Sequence, residues 1–99
     1  MAGYLLLTDL KRAVDDQIWF RFVQQEYGVP EIRIETEGGS PVKTIDGLGD
    51  RPEGTYASRS RAIFWDRRNT SNVRVAAGIH YAALYIDSIK YDLIKLTLP

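Results

Sequence analysis

Chemistry in a short chain needs side chains that titrate, ligate or attack, and this one offers few. His80 is the only histidine of the 99 residues, and there is no cysteine. A zinc site would have to be built mostly of carboxylates, which is unusual for that metal. His80 falls in a strand whose two faces both read as buried, so a core or hairpin histidine hydrogen-bonded to backbone is expected. Ser58, Ser60, Ser71 and Ser88 lie in ordinary strand or turn contexts, and no Ser-His-Asp order can be defended. Asp15 and Asp16 are paired carboxylates only in sequence, because neighbours i and i+1 on a helix do not face each other. Gly47-x-Gly49 lacks the third glycine and the following helix of a dinucleotide fingerprint, and no Lys-Ser/Thr follows to make a P-loop. Asp46 and Asp50 lack calcium-loop spacing. The chain therefore reads as a protein without catalytic residues, metal or cofactor.

One cluster suits binding. Arg59, Arg61, Arg67 and Arg68 are interleaved with Tyr56, Phe64 and Trp65. If Thr55–Asp66 is a single strand, Trp65 shares a face with Arg59 and Arg61. The first reading is a solvated strand face with Trp65 tucked under the 46–54 loop. Second, because tryptophan and arginine lead the composition of protein-interface hot spots, comes Trp65 as an exposed anchor. Third come arginines that grip phosphates while aromatics stack bases. Zero net charge argues against nucleic acid.

The charge is unevenly spread. Residues 1–50 carry nine acids and five bases, and residues 51–99 carry eight bases and four acids. Either the halves fold together and mix their charges, or the molecule is polar and its acidic side meets the basic side of a neighbouring copy. A head-to-tail contact of the second kind closes rings.

The elements that must position these residues centre on Val73–Leu98, the densest apolar run. Ile79, Tyr81, Ala83 and Tyr85 alternate with His80, Ala82, Leu84 and Ile86, which predicts a central strand covered on both faces. Ile94, Leu96 and Leu98 predict its partner, with Asp87–Lys90 as the tip between them. Ile32, Ile34 and Thr36 alternate with Glu31, Arg33, Glu35 and Glu37 in an amphipathic strand. Val42–Ile45, Thr55–Asp66 and Val73–Ala76 are further strand candidates.

Before them, Thr8 reads as an N-cap and Gly28 as a C′ residue, predicting a helix over about 8–27. Leu10, Val14, Ile18 and Phe22 form one row of it; Trp19, Val23 and Tyr27 form a second, and Phe20 belongs to neither. That is more apolar surface than one stripe needs, so either a loop caps the helix or the helix is an interface. Asp46–Gly54 reads as a long functional loop.

The expected fold class is α+β: an N-terminal helix packed on a curved antiparallel sheet or small open β-barrel. It forms a single domain, 1–99, with an arm at 1–7, a helix at about 8–27 and a β-domain at about 31–98. The interface candidates are Trp19 and Phe20 on the helix, Leu48 and Arg51 in the loop, and Arg59, Arg61, Trp65, Arg67 and Arg68 beyond it. Tyr4–Leu7 is too short for a signal-peptide core, and no segment approaches membrane-spanning length. The absence of cysteine fits a reducing compartment, or a particle assembled in one.

Val73-Arg-Val, Gly78-x-x-Tyr81, a strand to Asp87, a tip, and a strand closing on Lys95-Leu-Thr-Leu98 resemble the C-terminal half of the small head–tail joining proteins of tailed bacteriophages. The similarity covers about residues 70–98 and the order of helix then sheet. The tip at Ser88-Ile-Lys90 departs from the family in lacking glycine. The resemblance implies a structural role in the virion, assembled in the host cytoplasm. Copies would form a ring at the neck, touching the portal or the tail. The alternatives are a small monomeric protein-binding module of inhibitor or immunity type, and a nucleic-acid-binding domain.

Overall fold

The computed structural model describes residues 2–99 and builds them from nine antiparallel strands. These are β1 (Gly3–Leu5), β2 (Ile18–Phe20), β3 (Phe22–Gln24), β4 (Pro30–Thr36), β5 (Pro41–Ile45), β6 (Gly54–Tyr56), β7 (Ile63–Trp65), β8 (Gly78–Ile86) and β9 (Ile89–Leu98). The expected N-terminal helix is absent: among the described residues the helical structure is a single 3-10 turn, Ala13–Asp15. The α+β class is thereby corrected to all-β. The reason lies in the side chains of 18–24. Ile18, Phe20, Phe22 and Gln24 are all buried, while Trp19, Arg21 and Val23 between them are partly exposed. A strand puts every second side chain into one core, whereas a helix would have turned Phe20 away from Ile18 and Phe22.

The hydrogen-bonding order is β5-β4-β8-β9 in the largest sheet, β1-β3-β6 in a second and β2-β7 in a third. β2 and β3 form one run of chain that changes partner at Arg21. β7 pairs with its first half and β6 with its second, Ile18 opposite Trp65 and Phe22 opposite Tyr56. The predicted strand 55–66 is therefore two short strands, separated by a turn in which Arg61 and Ala62 N–H groups donate to the Ser58 carbonyl. Val73–Ala76 reduces to a bridge between Arg74 and Arg68.

The strands at 30–36, 41–45 and 78–86 follow the alternation that the sequence displays. β9 follows it from Ile94 to Leu98 but begins at Ile89, inside the predicted Asp87–Lys90 tip, which shrinks to Asp87 and Ser88. β8 is central in its sheet, between β4 and β9. Its inner side chains His80, Ala82, Leu84 and Ile86 are buried, but Ile79, Tyr81 and Tyr85 on the outer face keep partial access to solvent. Coverage on both faces, as the sequence suggested, is thus corrected to coverage on one.

A single core joins the sheets. Phe20, Phe22 and Trp65 meet Ile32, Ile34, Leu84 and Leu96 in it. Phe22 stacks on Tyr56 with ring centroids 5.0 Å apart, and Phe20 stacks on Trp65 at 6.3 Å. Each such aromatic contributes about 1.5–3 kcal/mol by burial. β1 closes the structure over this core. It pairs with β3, and the Leu5 N–H donates to Asp92 Oδ2 on β9 at 2.7 Å. The domain's own sheet therefore holds residues 2–6 of the arm. Among the described residues no helix is long and apolar enough to cross a membrane.

Candidate functional site

With the inner faces committed to one core, the outer faces of the two sides point away from each other. On the β2-β7 side, Trp19 and Phe64 form a cross-strand pair with ring centroids 5.3 Å apart, and Phe64 is 45% exposed. The Arg59 guanidinium, carried by the 58–61 turn, lies 4.6 Å from the Trp19 ring centre. Around them Asp9, Arg12, Arg21, Ala57 and Arg59 line a cavity of about 230 Å³ floored by Trp19. Arg21 is oriented by donating to the Leu7 carbonyl, and Asp9 is partly engaged through Oδ1, which accepts the Lys11 N–H at 2.9 Å. Three arginines and one half-used carboxylate thus line the cavity.

Beyond β3 carboxylates predominate, although Arg33 and Lys90 line a groove that shares Glu31 and Asp46. Gln24, buried, donates from Nε2 to the carbonyls of Glu26, Gly28 and Arg51 at 2.9–3.0 Å. These bonds, with the reciprocal backbone pair between Gly28 and Arg51, fasten the 46–53 segment to the body. Beside it Val29, Glu31, Asp46, Asp87 and Ser88 line a notch of about 350 Å³ that holds three carboxylates and no base. Asp87 is fixed by accepting the Val29 N–H at 2.9 Å, and Glu31 by pairing with Arg33 at 2.7 Å. That bond also raises the Arg33 pKa, and the guanidinium stacks 3.7 Å above Tyr85. Asp46 is exposed. Among the described residues no three ligating side chains are placed to hold a metal ion, so the notch presents charge rather than a chelate.

The nine residues singled out from sequence divide between surface and interior. Trp19 and Arg59 come together in the basic cavity. Arg61 and Arg51 stand next to it over the face of Tyr56, at 4.7 and 5.1 Å, with Arg51 donating to the Arg61 carbonyl. Leu48 is half-buried against the core and pins its loop.

Three assignments are corrected. Phe20 is fully buried because it alternates with Trp19 on a strand. Trp65 is 1% exposed and donates its Nε1–H to the Arg68 carbonyl at 2.9 Å. The 58–61 turn breaks the strand, so Trp65 does not share a face with Arg59 and Arg61. Arg67 is fully buried, donating to the carbonyls of Val75, Ala13 and Pro99. Burial lowers its pKa, with the Arg74 charge acting in the same direction. Arg68 is half-buried and braces its own turn, donating to the Asn72 carbonyl at 3.2 Å.

His80 is buried, its Nδ1 3.2 Å from the Gly78 carbonyl, as a backbone-bonded core histidine should be. Sequence reasoning missed Arg12, Arg21 and the carboxylates of the notch. The signal for Arg21 was its place two residues after Trp19, which puts both on one face once the segment is read as a strand. Comparison of the chain with protein families, curated proteins and solved structures finds no match.

Proposed function

We propose that this chain is a non-enzymatic assembly subunit that joins copies of itself head to tail, in the manner of a ring at a virion neck or tail. The observation that carries the reading is the separation of charge. A cavity lined by three arginines and Asp9 and a notch lined by three carboxylates share no residue, and Arg33 and Lys90 border the carboxylates only on the adjoining groove. Unlike patches that complement each other make a heterologous contact, which closes into a ring or runs on as a filament. The phage resemblance adds little weight of its own. Its N-terminal helix is missing here, and what remains is the β8–β9 hairpin. A virion setting, with portal or tail proteins as further partners, rests on that hairpin and on the polar surface.

The Trp19–Phe64 pair, Phe64 exposed and Trp19 half-buried, favours a second reading, a monomeric module that binds a foreign protein through the same face. Light scattering on a size-exclusion column at low and high salt, with the 260/280 nm ratio of each peak, separates the two. Assembly predicts a multimer free of nucleic acid that shrinks at high salt, because exposed charges are screened beyond about 10 Å at 0.1 M. A monomer at both salts rejects self-assembly in favour of the module. Strong 260 nm absorbance released by salt would turn the arginines over to nucleic acid.

A further inference from the structure

We infer that the cavity over Trp19 is a carboxylate socket, and that it takes Asp46 from the acidic notch of a second copy. The inference rests on the head-to-tail reading and gives it a contact. Arg12, Arg21 and Arg59 surround the cavity, and a planar guanidinium fork matches a carboxylate with two parallel hydrogen bonds. Arg59 is held over the Trp19 ring, so less side-chain freedom is lost when it binds. Asp9 in the same lining offsets part of the positive charge, which disfavours a run of phosphates more than a single carboxylate. The chain's zero net charge likewise provides no general attraction for a polyanion.

On the other side, Glu31 and Asp87 are already engaged within the notch, whereas Asp46 is exposed at its rim. Asp46 is thus the carboxylate with reach, and the other two add negative potential behind it. Socket and notch share no lining residue, and each copy offers one of each.

The test uses two charge reversals, Arg59→Glu and Asp46→Lys. Both positions are exposed, and near-ultraviolet circular dichroism checks that both variants keep the native fold. Sedimentation equilibrium is run on each alone and on their equimolar mixture. Each reversal alone is expected to weaken association by about tenfold or more. The mixture should associate again, because the notch of the first variant fits the socket of the second and the two altered ends now attract.

In amide-correlation spectra of the native chain, the Trp19 indole signal should move with concentration. The Trp65 indole, locked on the Arg68 carbonyl, should stay still. If native chains associate and Arg59→Glu associates equally well, the socket is wrong while head-to-tail assembly stands. A mixture that remains apart also overturns the socket. Native chains that stay monomeric at millimolar concentration, with a stationary Trp19 signal, overturn both readings.

Discussion

Arg67 shows how a side chain with a surface composition can become the interior's fastener. Its backbone is left-handed, φ 61°, at the turn after β7, and it continues the inward row of Ile63 and Trp65, with Phe64 and Asp66 exposed between them. Inside, its three nitrogens reach carbonyls of residues 13, 75 and 99, which no backbone ladder brings together. A buried carbonyl stripped of its donor costs about 1–3 kcal/mol, so Arg67→Met should destabilise the fold by about 3–5 kcal/mol. Arg67→Lys should recover less than half, since one ammonium cannot reach three separated acceptors. Urea unfolding reads both as a lowered midpoint at unchanged slope. Tyr27 offers a gentler case at the surface. Its hydroxyl hydrogen-bonds Asp50, which raises the tyrosine pKa above its ordinary value, the carboxylate's charge and partial desolvation adding to the effect. A group whose folded pKa is raised supports the fold fully below its unfolded pKa. That support is lost as pH rises through the folded value. Absorbance titration of the phenolate should therefore place Tyr27 above free tyrosine, and Asp50→Asn should bring it back down. Neither partnership was legible in the sequence, because both depend on which backbone passes nearby.

At the scale of elements, the segment 8–27 explains what periodicity can and cannot say. Leu10, Val14, Ile18 and Phe22 recur at every fourth residue, which fits a helix. Four is also a multiple of two, so Ile18 and Phe22 fit a strand equally well. Only Phe20, on neither helical row, broke the tie, and it is one of the most buried side chains. Where alternation ran longer, over 30–36 and 79–86, the sequence was sufficient, because no helical row fits seven or more alternating residues; in β9 it runs only from Ile94 to Leu98, after a register shift. The β8–β9 tip was legible in position but not in conformation. Asp87 and Ser88 form a two-residue turn with φ 51° and 66°, a geometry that usually calls for Asn-Gly or Asp-Gly. A left-handed backbone costs a side chain about 1–2 kcal/mol relative to the right-handed one, and glycine escapes most of this while adding freedom to the unfolded chain. Ser88→Gly should therefore stabilise by about 0.5–1 kcal/mol and raise Tm by about 2–6 °C in a calorimetric scan. Asp87 should not be exchanged, because it holds the Val29 N–H.

For the whole molecule, the uneven charge of the two halves was legible, but its placement was not. Sequence cannot tell that Arg12 and Arg21 from the acidic half would join Arg59 from the basic one. That juxtaposition arises because β2 pairs with β7 across 45 residues of chain, Ile18 opposite Trp65 in register with Phe20 opposite Ile63. Nor can it tell how closely the two sides of the structure approach. They meet at Gly3. A Cβ there would lie 2.6 Å from the Val23 carbonyl oxygen within its own sheet, and 2.8 Å from Ile86 Cδ1 on β8. The first clash is with backbone and the second with the tip of a flexible side chain. Gly3→Ala should therefore force the sheets apart at a cost of about 1–3 kcal/mol. Ile86→Val removes the methyl that reaches Gly3 and leaves a small void, costing about 0.5–1.5 kcal/mol alone. In the double variant the new Cβ occupies part of that void, so the combined loss should be smaller than the sum of the two. Rescue should stay incomplete, because the Val23 carbonyl cannot retreat without disturbing the β1–β3 ladder. Urea unfolding of the four proteins closes the cycle, and a favourable coupling of about 0.5 kcal/mol or more is expected. Strict additivity would mean that β1 can lift away from β8 without strain, and that Gly3 is not the point at which the two sides are held together.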